Sequence, residues 1–366
     1  MKITKIESFS KPNVGLVRVT SESGAIGWGQ IATYEAADIV AQSLHRQVAP
    51  VALGRDIEEH EELLDAILRA TLKFPGSYVC RAMAAIDTAL LDLRAKLKKV
   101  SVGELLGGAP APMAVYGSSM SRSITPKDEA SRMVRLRDEQ GIRAFKTRVA
   151  VSAGRDTEPW PGRSEELIPT LRKALGSDIV IHADANSGYS ADRAIEIGRM
   201  LEANGYGHFE EPCPYWEYDW TKKVADTLGI PVAGGEQDNY MPAWKTMIRD
   251  HVVDIVQPDI CYCGGVLRAM RIAELAAGEG MQCTPHCANH SLVAVFTLHA
   301  MSAIPNAGPY MEFSIEDQSS VRAMYTPHLE IVDGKLAPPS EGYGWGVTIS
   351  EDWLAQAGHL VSESPR

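Results

Sequence analysis

Three short segments decide the fold: IVIHAD at residues 179–184, YGHFE at 206–210 and IPVAGGE at 230–236. Each is an apolar run ending on a carboxylate, and the acids Asp184, Glu210 and Glu236 are spaced 26 and 26 residues apart. Such runs read as parallel strands buried on both faces. Between the first two, Ala191, Ala194, Ile197, Gly198 and Leu201 recur at helical spacing behind a Ser190 N-cap. A strand, a helix and their loops take about 25 to 30 residues, so the pitch means consecutive βα units, each with its acid at the carboxyl end of the strand.

Three oxygen ligands at one mouth form a hard-cation site suited to Mg²⁺, which leaves coordination positions for water and substrate. Any one of these acids could merely cap the next helix, Asp184 in Asp184-Ala185-Asn186 most easily. Three in phase, one followed by Glu211-Pro212 and one preceded by Gly234-Gly235, favour a metal.

The 366 residues suffice for one large α/β barrel plus a smaller domain, or for two medium domains. A net charge of −11 and the lack of a basic block exclude a nucleic-acid or anionic-membrane surface, so an anionic substrate needs local cations. Met1-Lys2-Ile3-Thr4-Lys5 lacks the apolar run of a signal peptide, and no segment is long enough to span a membrane, so a cytoplasmic protein is expected. The six cysteines show no Cys-x-x-Cys spacing and are expected to be reduced, mostly buried thiols.

Residues 1–112 lack the βα rhythm. Val14–Thr20 and Ile26–Gln30 predict a hairpin, and helical patterns follow over Ile57–Leu72 and Tyr78–Leu97, an α+β capping domain. Gly107-Gly108-Ala109-Pro110-Ala111-Pro112 marks the boundary. A barrel is expected over residues 113–321, with the tail 322–366 returning to the cap. Within the tail, Leu329–Leu336 predicts a hairpin about Asp333-Gly334, and Gly342–Ile349 is strand-like.

In the second barrel strand, Ala144–Val149, Lys146 and Arg148 lie two apart and share the interior face, where two cations need an anion. The later strands end in Asp259, His286 and Glu312. From residue 184 onward the intervals are 26, 26, 23, 27 and 26, a regular march around one rim. A lone histidine is usually structural, but a place on this rim, one strand after an acid, makes His286 a functional candidate.

Lys146-x-Arg148, Asp184-x-Asn186, Glu210-Glu211-Pro212, Gly234-Gly235-Glu236, Asp259 and His286 together resemble the enolase superfamily, in its mandelate racemase/muconate lactonizing enzyme-like branch, over essentially the whole chain. The resemblance implies a modified TIM barrel, (β/α)7β, under an N-terminal α+β cap. It implies that Asp184, Glu210 and Glu236 hold Mg²⁺, that Asp259 and His286 form a dyad with histidine as general acid/base, and that Lys146 and Arg148 occupy the family's Lys-x-Lys positions. Glu312 then matches the acid that hydrogen-bonds the substrate carboxylate, and Asn186 and Gln237 are further candidate substrate contacts. The pattern departs from Lys-x-Lys at Arg148, a poor base because arginine stays protonated.

One competent base favours elimination over inversion: α-proton abstraction from a small carboxylate, then syn dehydration of an acid sugar to a 2-keto-3-deoxy acid. A racemase, epimerase or cycloisomerase is the alternative within the fold, and a non-catalytic binding homologue the alternative outside it. Specificity is expected from cap loops near Gln30–Glu35 and Lys73–Tyr78. His290 is a candidate for the mouth. Trp160, Tyr215, Trp216, Tyr218 and Trp220 suggest mostly packing or subunit contacts, with one of them a candidate to face a sugar, and a homo-oligomer is expected.

Overall fold

The computed structural model describes residues 1–32, 34–151 and 155–364. Thr33, within the expected loop at residues 30–35, therefore lies outside the described residues, as does the end of the tail, residues 365–366.

The chain opens with an antiparallel meander of β1 (Ile3–Lys11), β2 (Val14–Ser21) and β3 (Ile26–Ala32). The expected hairpin is β2–β3. Strand β1 is additional, and its period is broken because the register with β2 shifts between Ile3 and Lys5, so buried Ile3 and Ile6 do not alternate.

The helix Ser77–Lys98 lies across β3. It approaches so closely that a Cβ on Gly27 or Gly29 would sit 2.1 or 2.2 Å from the carbonyl oxygens of Ala89 and Ala85. Two buried acids on this helix tie it down. Asp92 accepts from Trp28 N at 2.8 Å and Trp345 N at 3.0 Å, and Asp87 accepts from Val266 N at 2.6 Å, at the start of a barrel helix.

Eight parallel strands form the curled sheet: β4 (Met113–Ser118), β5 (Ala144–Arg148), β6 (Val180–Asp184), β7 (Phe209–Glu210), β8 (Val232–Gly234), β9 (Ile255–Val256), β10 (Gln282–Cys283) and β11 (Met311–Ser314). They neighbour one another in chain order from β4 to β10, and β11 returns beside β4. Helices follow the first seven strands, whereas β11 leads into the four-residue helical turn Ser319–Arg322 and then the tail. This is the (β/α)7β modified barrel with an N-terminal cap. The helix after β10, Leu292–Met301, is apolar all round because it is covered on all sides: Phe296 packs 4.4 Å from the Trp345 ring.

The tail meets part of its expected form. At Asp333-Gly334 both residues have positive φ and Val332 pairs antiparallel with Lys335 across them, so the expected hairpin turn forms, and its outgoing arm β13 (Lys335–Leu336) also pairs with β4. Residues 342–349 are not a strand. Gly342, Gly344 and Gly346 all have positive φ, and the looped chain drives Trp345 into the cap, where its indole N–H donates to the carbonyls of Trp28 and Thr88 at 3.1 Å. Only β14 (Thr348–Ile349) is extended, against β12 (Tyr325–Thr326), and β15 (Gly358–Glu363) then adds to β1 as a fourth cap strand. No helix among the described residues is long and apolar enough to cross a membrane.

Candidate active site

Lys146, His182 and His208 precede Arg148, Asp184 and Glu210 by two residues each, on three adjacent strands or their edges. Parallel register aligns Lys146 with His182, Arg148 with Asp184, and Asp184 with Glu210. Period-two geometry therefore builds two inward layers. The lower holds Lys146 and two imidazoles stacked 3.7 Å apart, with the Tyr116 ring edge-on to both. The upper holds Arg148, Asp184 and Glu210 at the mouth.

Lys146 is fully buried, donates to Glu210, and lies 2.7 Å from Glu312 Oε1 and 3.4 Å from Asp184 Oδ2. Burial alone would lower its pKa; Glu210 and Glu312 outweigh that and hold the ammonium charged well above its ordinary range. Arg148 donates to Asp184 through Nη1, and its Nη2 rests 3.2 Å from Met120 Sδ. Glu312 is gripped by Ser118 Oγ at 2.8 Å and Cys287 N at 2.9 Å. Burial works against its charge, but Lys146 and His286 hold it down at about 2.

His286 lies beyond β10 with Nδ1 2.8 Å from Asp259 Oδ2. Asp259 also caps the turn that follows it, accepting from Tyr262 N at 3.0 Å, so the dyad's acid is fixed by its own backbone. The imidazole Nε2 faces inward, 3.3 Å from Glu236 Oε2 and 3.9 Å from Glu312 Oε2. Burial would lower this histidine, but Glu236, Glu312 and Asp259 push it up to about 10. Burial, with Glu210 and Asp184 nearby, pushes Glu236 up to about 7.

Asp184, Glu210 and Glu236 stand at one mouth as an all-oxygen set, the donor chemistry that a hard divalent cation takes. The buried Glu236 Oε2 makes no hydrogen bond and has only the His286 imidazole beside it at 3.3 Å, so it keeps acceptor capacity that a cation could use. Among the described residues no three carboxylate, imidazole or thiol groups converge on one point. Lys146 and Arg148 lie among these oxygens, and a cation held there would compete with them for Asp184 and Glu210.

Other expected contacts fall differently. Asn186 is already engaged: its backbone N donates to Asp184 Oδ1 at 2.7 Å, its Nδ2 to Glu211 at 3.1 Å, and its Oδ1 accepts from Arg122 at 2.8 Å. Gln237 donates to Glu236 Oε1 at 3.0 Å. His290 does not line the mouth: it stacks 4.2 Å from Phe313 and bonds the Ser314 carbonyl at 2.8 Å. Trp160 packs near the Arg163 guanidinium, and Gln30 donates to Ser291 at 2.7 Å. All six cysteines are buried and free.

Three polar residues at the site were not expected. Gln257 donates to Glu210 Oε2 at 2.8 Å. Glu211, at a positive φ of 39°, buries a carboxyl that its surroundings push well up, chiefly through burial and then Glu236 and Asp184. Arg122 reaches in from the loop after β4. The tandem Glu210-Glu211 was a visible signal; Arg122, on an aperiodic loop, gave none.

The family model described as enolase C-terminal domain-like matches residues 128–353, and that of the mandelate racemase/muconate lactonizing enzyme N-terminal domain matches residues 2–107. The chain belongs to the enolase superfamily. It falls in the mandelate racemase/muconate lactonizing enzyme branch. Among curated relatives, arabinonate dehydratase of Saccharolobus solfataricus is 28% identical, covering 91% of this chain and 87% of its own. The D-galactarolactone cycloisomerase of Agrobacterium fabrum is 30% identical, covering 93% and 90%. A solved structure from Roseobacter denitrificans, proposed as a racemase, is 52% identical over 100% of both chains with a TM-score of 0.97. A mandelate racemase/muconate lactonizing protein from Paracoccus denitrificans, solved with magnesium, is 30% identical over 98% of both chains with a TM-score of 0.90. Membership of this superfamily supports an enzyme, and superfamily members use Mg²⁺.

Proposed function

We propose that this protein abstracts the α-proton of a carboxylate substrate and dehydrates an acid sugar to a 2-keto-3-deoxy acid. The observation that carries the reading is the asymmetry of the site. His286 turns its Nε2 inward, 3.3 Å from Glu236 Oε2, with Asp259 behind it, while the other candidate proton acceptor, Arg148, is a guanidinium committed to Asp184. An imidazole oriented through Nδ1 can take a proton and return it; an arginine cannot take one.

Asp184, Glu210 and Glu236 are the residues that would hold Mg²⁺. When bound, the ion supplies a Lewis acid for the substrate carboxylate and a counter-charge for the enediolate. Lys146, kept charged inside the barrel, adds a fixed positive group where negative charge develops. His286 Nε2 takes the proton from C2, and the C–H electrons flow into the carboxylate. As they return, the C2–C3 double bond forms and the C3–O bond breaks. The proton on Nε2 goes to the departing hydroxyl, which leaves as water, and the resulting enol tautomerises to the 2-keto-3-deoxy acid. Asn186 and Gln237 hold Arg122 and Glu236 in place, and Glu312 holds Lys146.

Isomerisation is the second reading. The cycloisomerase relative supports it, because one base suffices for a ring opening that eliminates across the same two carbons. The test is to incubate the protein with Mg²⁺ and a panel of acid sugars and their lactones in deuterated water, followed by NMR. Loss of the C3 hydroxyl with a 2-keto product supports dehydration. A product isomeric with its substrate supports cycloisomerisation, and the absence of any α-exchange would overturn both.

A further inference from the structure

Arg122 lies between β4 and the helix Pro126–Gln140, on the loop that leaves the carboxyl end of the first barrel strand. The other cations of this rim are committed: Lys146 to Glu210 and Glu312, and Arg148 to Asp184. Arg122 bonds only a neutral group, Asn186 Oδ1 at 2.8 Å; its Nε is buried without a partner, and no carboxylate pairs with it among the described residues. A half-buried guanidinium without a counter-ion is costly, more so beside another guanidinium, unless an anion completes it. Arg148, Asp184 and Glu236 are close enough to act on its charge, so it opens on the same mouth.

Its orientation is built. Asn186 takes a left-handed backbone, φ 46°, and is fixed by Asp184 through its N–H and by Glu211 through its amide N–H₂, so its remaining oxygen aims at Arg122. Glu211 in turn stands beside Glu210 in sequence, so the chain Glu211–Asn186–Arg122 links the guanidinium to the acid triad.

We infer that Arg122 receives a second anionic group of the substrate, which makes the preferred substrate a dicarboxylate of the aldarate class and Arg122 its specificity-determining residue. The inference rests on the proposed reaction, in which the reacting carboxylate is met at the acid triad and Lys146 within the barrel faces the charge that develops on it. Arg122 comes from the loop after β4 and meets Asn186, which lies beyond the Asp184 end of β6, so it stands outside the strand layer that holds Lys146 and can meet the distal carboxylate of an extended sugar acid.

The test compares a six-carbon aldarate with the aldonate that carries a CH₂OH in place of the second carboxylate. Calorimetry is run with Mg²⁺ on the full chain carrying His286→Asn, so that neither ligand turns over. The aldarate is expected to bind roughly 10- to 100-fold more tightly, the worth of one charge-assisted hydrogen-bonded contact. Adding Arg122→Gln should collapse that ratio toward one, and Arg122→Lys should restore part of it. Arg122→Met, neutral and of similar length, serves if the glutamine variant does not fold. Equal affinities before substitution, or an Arg122→Gln effect equal on both ligands, overturn the assignment. A lack of α-deuterium exchange by the unsubstituted protein overturns the proposed reaction instead, and the binding ratio still judges Arg122.

Discussion

Arg148 and Asp184 occupy the same rung of β5 and β6, and the guanidinium donates to the carboxylate across it. Burial disfavours that charge, but Asp184 and Glu236 hold the arginine ionised above its ordinary range. This position therefore supplies no base. Deuterium is expected to enter the α-position of a substrate with retention, and no epimer should accumulate. The Arg148→Lys variant, whose amine can lose a proton, is expected to form epimer slowly. Chiral chromatography of the recovered acid checks both, and epimer formed by the unsubstituted protein would sink the one-base mechanism.

Much of this arrangement was legible because strand periodicity and βα pitch fix where side chains go. Lys146-x-Arg148 had to put both cations inside the barrel, and equal intervals had to set Asp184, Glu210 and Glu236 on one rim. What stayed hidden depends on loops. Arg122 and the Asn186 side chain meet only because two loops fold together, and Asn186 consequently holds another residue where a substrate contact was expected. His290 is turned away by its stacking on Phe313. In the cap, β1 was masked by its register shift, and Gly342–Gly346 looked extended although its glycines coil it around Trp345.

His286 and Asp259 act as a unit. Replacing His286 by Asn is expected to lower α-proton exchange roughly 10²- to 10⁴-fold. Asp259→Asn should lower it as well, since Nδ1 loses its carboxylate partner. Circular dichroism spectra that overlay the unsubstituted protein separate this loss from unfolding, and exchange persisting in His286→Asn would reassign the base.

Metal removal has two readouts. Excess chelator is expected to abolish α-exchange, and Mg²⁺ should restore it. Independently of activity, Mg²⁺ at 100 times its dissociation constant should stabilise the fold by about 2.7 kcal/mol through mass action, seen as a rise in Tm. Glu236→Gln should diminish that rise. A Tm indifferent to Mg²⁺ would count against the acid triad as its site.

Trp345 seals the tail against the cap and the barrel. Its indole donates to Trp28 and Thr88, its backbone to Asp92, and its ring packs on Phe296. Trp345→Ala is expected to cost about 3 to 5 kcal/mol, the range for deleting a buried aromatic side chain. Denaturant unfolding measures this, and a loss under 1 kcal/mol would show that the tail packs only loosely.

His299 gives the fold a pH dependence remote from the site. It is fully buried on the helix Leu292–Met301, accepts from Gly103 N at 3.0 Å through Nδ1, and meets the Trp345 ring edge-on at 5.5 Å. Burial lowers its pKa to about 4, against the Trp345 backbone and Glu104, which act to raise it. In the unfolded chain the imidazole titrates near its ordinary value of about 6.5. Between those values the unfolded chain binds a proton that the folded one refuses, so its effect is absent above about pH 6.5 and destabilising as the pH falls toward 4. A gap of about 2.5 units corresponds to a loss on the order of 3 kcal/mol. In His299→Gln this part of the slope should vanish, since glutamine can still accept from Gly103 without titrating. Urea midpoints between pH 7.5 and 4.5 decide the matter: parallel slopes in the two proteins would show that some other group carries the acid sensitivity.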